Sequence, residues 1–218
     1  VTRETKIKVD EADQGTVGIK GISVTKDVSA AYDMPVGVYV AQIIENGGAA
    51  SSDLQEGDII NVDITTDLDH FFADASRMYI VGGKTTPEAE RLVRVTREIM
   101  EAGIRAARPW HWVGDIGAAC GKMARENGYS VVTQLGGHGV GREFHLAPFV
   151  LHDSKPDTGM LLVPGMILTV EPMINIGSNE VFTDESDNWT VFTADHKLSA
   201  QWEKTILITE TGNEVLAE

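Results

Sequence analysis

The sequence predicts an α+β protein, with helices covering an antiparallel sheet and a β-rich segment ahead of both. Apolar–polar alternation marks strands near 60–65 and 202–209, and apolar runs mark others near 130–134, 145–152 and 166–174. Two stretches carry helical apolar stripes, and the first fifty residues are punctuated by Gly15, Gly18, Gly21, Gly37, Gly47 and Gly48. In that glycine-rich part the spacing predicts strands near 17–24 and 37–44 and a short helix near Ser29–Asp33. Asp67-Leu68-Asp69 reads as a turn, so the strand through Asp63 and the one through Asp74 form a hairpin. The first long helix starts at Thr86-Pro87-Glu88, a cap followed by proline and early acids. Its inward stripe is Ala89, Leu92, Val93, Thr96, Met100 and Ile104. The second runs from about Val113 to Asn127, with Ile116, Cys120, Met123 and Ala124 inward and Gly128 closing it.

The chain has 218 residues, 42% hydrophobic and 23% charged, enough to bury a core. Its net charge of -15 argues against nucleic acid or an anionic membrane, since phosphate contacts need clustered Lys and Arg. No apolar run approaches a membrane span, and the polar opening Val1–Lys6 does not read as a signal peptide, so a cytoplasmic protein is expected. The lone Cys120 is expected to fill the second helix's core rather than act as a nucleophile.

Five residues carry the candidate chemistry: Asp63, Asp74, His138, Glu171 and Glu203. Asp63 and Glu203 sit in alternating strands, where a carboxylate points away from its apolar neighbours. His138 is framed by glycines in 136–141, and Glu171 follows an apolar run and precedes Pro172. Each acid alone reads as a solvated strand-end carboxylate. Together, four carboxylates to one imidazole suit hard or borderline divalent ions rather than a thiolate zinc site.

At these residues the chain resembles the type I methionine aminopeptidases, pita-bread metallopeptidases of family M24, over about 54–218. The stretches that carry the resemblance are LQEGDIINVDIT (54–65), GGHGVGREFH (136–145), LVPGMILTVEPMINIG (162–177) and TVFTADHKLSAQWEKTILIT (190–209). The resemblance implies removal of N-terminal methionine from peptides and nascent chains by two divalent ions, Co, Mn, Fe or Zn. Asp74 and Glu203 would bridge the ions, Asp63 would hold one, and His138 with Glu171 the other. Glu171 would shuttle the proton and His145 would hydrogen-bond the substrate carbonyl. Phe144 and Trp189 would line the methionine pocket, and Gln201 would support a ligand by a hydrogen bond. His70, His111, His152 and His196 match no ligand position and read as surface or structural histidines.

Residues 1–53 resemble the first half of a PDZ domain of the bacterial heat-shock serine-protease type. VGIKGISVT (17–25), AAYDMPVGVYVAQIIENGGAA (30–50) and DLQEGDII (53–60) carry that resemblance. It implies capture of a peptide C-terminus at the loop Thr16–Ile19, with the peptide added as a strand. Both resemblances are partial and overlap at Leu54–Ile60. The pita-bread fold is therefore expected to be incomplete, lacking the helices and hairpin that precede its first aspartate. Strand Gly37–Ile44 is expected to pair beside Asp58–Thr65 and cover the edge left open. There are two departures from the family: Leu146 stands where an acid follows His145, a loss expected to be tolerated, and no histidine precedes His70, which lowers the expected activity. A peptide-binding module and a catalytically inert relative stay open as rival readings.

Overall fold

The computed structural model describes residues 19–24, 37–43 and 54–217. The helix expected at Ser29–Asp33 and the loop at 16–18 lie outside them. The chain divides into two compact units, one of Val1–Asp58 with Ile80–Lys84, the other of Ile59–Tyr79 with Thr85–Glu218.

In the first unit, β1 (Ile19–Val24) and β2 (Gly37–Ile43) form an antiparallel two-stranded sheet. Both expected strands are present, but the expected partner is wrong. Gly37–Ile43 takes β1, its neighbour in sequence, instead of 58–65, with an irregularity at Lys20/Gly21 of the kind that a bulge produces. Gly57, at φ +97, and Asp58 exchange backbone hydrogen bonds with Val81 inside this unit.

The second unit contains β3 (Ile59–Leu68) and β4 (Phe71–Ile80, but for its last residue), which form the expected hairpin with positive φ at Asp69 and His70. Helix α1 (Pro87–Ala106) is capped by Thr86, whose hydroxyl accepts from Ala89 N–H at 3.2 Å. Its buried stripe includes Leu92, Thr96, Met100 and Ile104 as expected, but adds Val95 and Ile99 and leaves Val93 half-buried. Helix α2 (Val113–Glu126) crosses α1 closely: a Cβ on Gly103 would lie 2.6 Å from Cys120 Sγ. Gly128, at φ +79, follows its end. Cys120 is fully buried and burial pushes its thiol up to about 12, the inert core cysteine the sequence suggests. Among the described residues no helix is long and apolar enough to cross a membrane.

The remaining strands are short: β5 (Ser130–Val131), β6 (Gly137–Gly139), β7 (Leu146–Val150), β8 (Ile167–Val170), β9 (Met173–Asn175), β10 (Val181–Thr183), β11 (Val191–Thr193), β12 (Ser199–Gln201), β13 (Glu203–Ile208) and β14 (Asn213–Ala217). A seven-stranded sheet runs β3-β4-β13-β8-β6-β7, with β14 also on β13, and a three-stranded sheet runs β12-β9-β5. The run expected as one strand at 166–174 is two strands in different sheets, broken at Glu171-Pro172. Proline has no N–H to give a ladder, so pairing stops there. The strands β12 and β13 make the same crossing at Trp202.

The sheet also opens beside β13. Only Glu203 and Lys204 pair with β4, and β14 takes over from Thr205 onward. Where β4 departs, the Thr205 hydroxyl stands in for the ladder, accepting from Asp74 N–H at 3.2 Å and donating to Asp74 C=O at 2.7 Å. These two breaks leave room between strands for side chains to converge.

Candidate metal centre

Three of the five residues sit at or beside a break. Asp74 is on β4 where it leaves β13, Glu203 opens β13, and Glu171 lies between β8 and β9. His138 is on β6, a strand hidden in the glycine-rich stretch. A Cβ on Gly137 would lie 2.5 Å from Thr169 O, and one on Gly139 would lie 2.3 Å from Ala147 O, so glycines are required for β6 to fit between β8 and β7. Gly137→Ala is expected to cost about 1–3 kcal/mol through overpacking, read as a lowered melting temperature.

The atoms converge. One ligand atom each from Asp74, His138 and Glu203 lies within 4.8 Å of the other two. His138 Nε2 is 3.7 Å from both Asp74 Oδ2 and Glu171 Oε1. His138 Nδ1 is 3.0 Å from Gly139 O; a carbonyl can only accept, so Nδ1 carries the proton and Nε2 turns its lone pair to the carboxylates. Asp63 lies on the exposed β3, near enough to Asp74 and Glu203 for the charges to act on one another.

Supporting bonds come from neighbours. Thr65 Oγ1 donates to Asp74 Oδ1 at 2.9 Å, and Gln201 Nε2 donates to Glu171 Oε2 at 3.0 Å. The buried His152, read from sequence as surface or structural, accepts the Glu171 backbone N–H at Nε2 at 3.0 Å. No pattern in its neighbourhood signals this, because the contact depends on where the neighbouring strands lie.

Without cations this arrangement is electrostatically costly. Burial, then the charges of Glu171, Asp74 and Asp63, push the Glu203 carboxyl up to about 10. Burial raises Glu171 to about 7 against the opposing hydrogen bond from Thr169. Partial burial and the Asp74 charge raise Asp63. His138 is held above its ordinary value: burial opposes protonation, but the bonds to Asp74 and Gly139 outweigh it. Glu203 Oε1 is buried with no hydrogen-bond partner. Four acids around one imidazole, one of their oxygens orphaned, fit divalent cations bound mainly through oxygen.

Around this cluster, the His145 ring packs edge-on to His138 with centroids 4.4 Å apart, and Phe144 lies 5.5 Å from His138 and 5.9 Å from Phe72. Trp189 is not brought here: it is 83% exposed between β10 and β11. A recess of about 240 Å³ opens beside Gln201, lined by Asn61, Met78, Met173 and Phe192 among others, but by neither Phe144 nor Trp189. His70, His111 and His196 stay exposed, away from the cluster.

Known proteins resemble this chain in sequence and fold. The chain is 46% identical over 163 residues to the methionine aminopeptidase of Haemophilus influenzae, covering 75% of this chain and 60% of that one. To the Salmonella typhimurium methionine aminopeptidase it is 48% identical, covering 75% and 61%. The chain thus spans about three-fifths of the length of these curated relatives. Among solved structures, methionine aminopeptidase from Rickettsia prowazekii superposes with a TM-score of 0.73 at 45% identity, over 74% of this chain and 65% of that chain. Prolidase from Pyrococcus furiosus shares the fold with a TM-score of 0.61 at 24% identity, over 79% and 45%. The antiparallel sheet with its covering helices is the pita-bread aminopeptidase fold. Residues 25–210 match metallopeptidase family M24, and the chain belongs to that family.

Proposed function

We propose that this chain is a metal-dependent aminopeptidase that removes methionine from the N-termini of peptides and nascent chains in the cytoplasm. The convergence of Asp74, His138 and Glu203 within 4.8 Å, with Glu171 Oε1 3.7 Å from His138, is the observation that carries this reading. Asp74 and Glu203 would lie between two ions (Co, Mn, Fe or Zn), with Asp63 on one and His138 and Glu171 on the other. Such a pair supplies an acidified water and neutralises charge developing on the attacked carbonyl oxygen.

The remaining work falls to the chain's own groups. Glu171, held by Thr169 and Gln201 through one oxygen each, takes the water's proton and passes it to the leaving nitrogen. His145, exposed above His138, hydrogen-bonds the substrate carbonyl. Phe144 walls the methionine side chain. Residues 54–218 form the catalytic part in this reading.

The test is hydrolysis of a Met-Ala-Ser peptide with added Mn²⁺ or Co²⁺, beside Glu171→Ala. Release of methionine that depends on metal and disappears in the variant is expected. Equal release by both proteins would end the reading, and metal binding without release would leave the inert relative in its place. Capture of peptide C-termini by residues 1–53 rests on the β1–β2 sheet alone and is not adopted.

A further inference from the structure

We infer that Thr169 is a positioning residue that locks His138 and Glu171 into one unit facing a single ion. The inference rests on the two-ion reading above and deepens it. Thr169 is fully buried on β8, two residues before Glu171 and on the same strand face. Its hydroxyl accepts the His138 backbone N–H at 3.0 Å and donates to Glu171 Oε1 at 2.8 Å. The order of these two bonds is forced. A backbone N–H can only donate, so the single hydroxyl proton is left for the carboxylate.

The fold brings the three groups together by one device. The strands β6 and β8 pair only at Gly139 and Leu168, so the ladder leaves the His138 N–H to the threonine hydroxyl. Gly137 permits the approach, since any Cβ there would strike Thr169 O. Gln201 on Oε2 and Thr169 on Oε1 then fix the plane of the Glu171 carboxylate from both ends. Oε1 keeps a second lone pair on the side of His138 Nε2, 3.7 Å away. Both proposed ligands of one ion are therefore oriented by the same hydroxyl. The proposed ligand of the other ion, Asp63, has no bond to it.

Thr169→Val keeps volume and strand preference and removes the hydroxyl; Thr169→Ser restores it. Chelator-treated full-length wild type and both variants are titrated with Mn²⁺ by calorimetry and melted without metal. We expect Val to weaken one of two binding steps by about 10–100-fold and Ser to recover it to within about threefold. The other step should stay near wild type, while the metal-free melting temperature should fall in Val, where the buried His138 N–H loses its acceptor, and recover in Ser. If the valine variant does not fold, Thr169→Ala against Thr169→Ser gives the same comparison. Two undisturbed binding steps in the hydroxyl-free variant would overturn the inference, as would serine failing like valine. A wild type that binds no pair of ions would sink the aminopeptidase reading itself, a result distinguishable from either.

Discussion

Glu203→Gln is expected to abolish tight binding of the ion pair and to lower kcat/KM on a Met-Ala-Ser peptide by on the order of 10³-fold or more. Losing a group that bridges two cations forfeits several kcal/mol of charge stabilisation, and each ~1.4 kcal/mol is a factor of ten. Metal-free stability at neutral pH should change little. Glu203 is 2% exposed and its carboxyl is pushed up to about 10, so without metal it is a neutral acid in a closed space. Glutamine matches the neutral acid in volume and charge, so the packing around it is kept. The substitution thus separates two roles that alanine would confound, filling the core and holding cations. A metal-dependent rate within tenfold of wild type would show that Glu203 is a structural acid. The rate and the melting curve of one preparation, each with and without Mn²⁺, decide it.

The elements best read from sequence are those long enough to show a period. The helices α1 and α2 and the β3–β4 hairpin lie within a few residues of expectation, because twenty, fourteen and ten residues carry several repeats of a pattern. The strands β6, β10, β11 and β12, of three residues each, show no period at all. The candidate ligands could be grouped through their order along four stretches, but not their placement. That depends on Glu171-Pro172 and Trp202 being crossings between two sheets, a tertiary fact that overrides the apparent continuity of 166–174. Thr169 was legible in part: a lone polar residue in an apolar run, two positions before a carboxylate, shares its face. His152 was not, since its only mark in the sequence is being a histidine. The apolar positions Ile64 and Leu68 on β3, more than half exposed, show where alternation fails: among the described residues β3 is an edge strand whose first half, through Ile59, packs on the core while its second half does not.

Chelator-treated protein is expected to lose stability as pH rises from about 6 to about 8, and Mn²⁺ to restore it. The sign follows from the buried acids. Glu171, Glu203 and Asp63 all hold protons more tightly when folded than the unfolded chain does. Their contribution is complete below the unfolded carboxyl values near 4 and is lost as pH climbs, through about 7 for Glu171 and onward to about 10 for Glu203. The raised His138 adds to the same trend. His152 opposes it: burial lowers its ring to about 3, so its contribution is complete above about 6.5 and fades as pH falls. Above pH 6.5 the two influences no longer compete, and the slope belongs to the metal cluster. Between pH 6 and 8 Glu171 alone accounts for on the order of 1.4 kcal/mol, roughly 3–6 °C of melting temperature for a chain of this length. Cations that bind the folded cluster reverse the trend by mass action and favour the ionised acids, so their stabilisation should grow with pH. A melting temperature that stays level or rises between pH 6 and 8 without metal would mean that the acids do not crowd one another in solution.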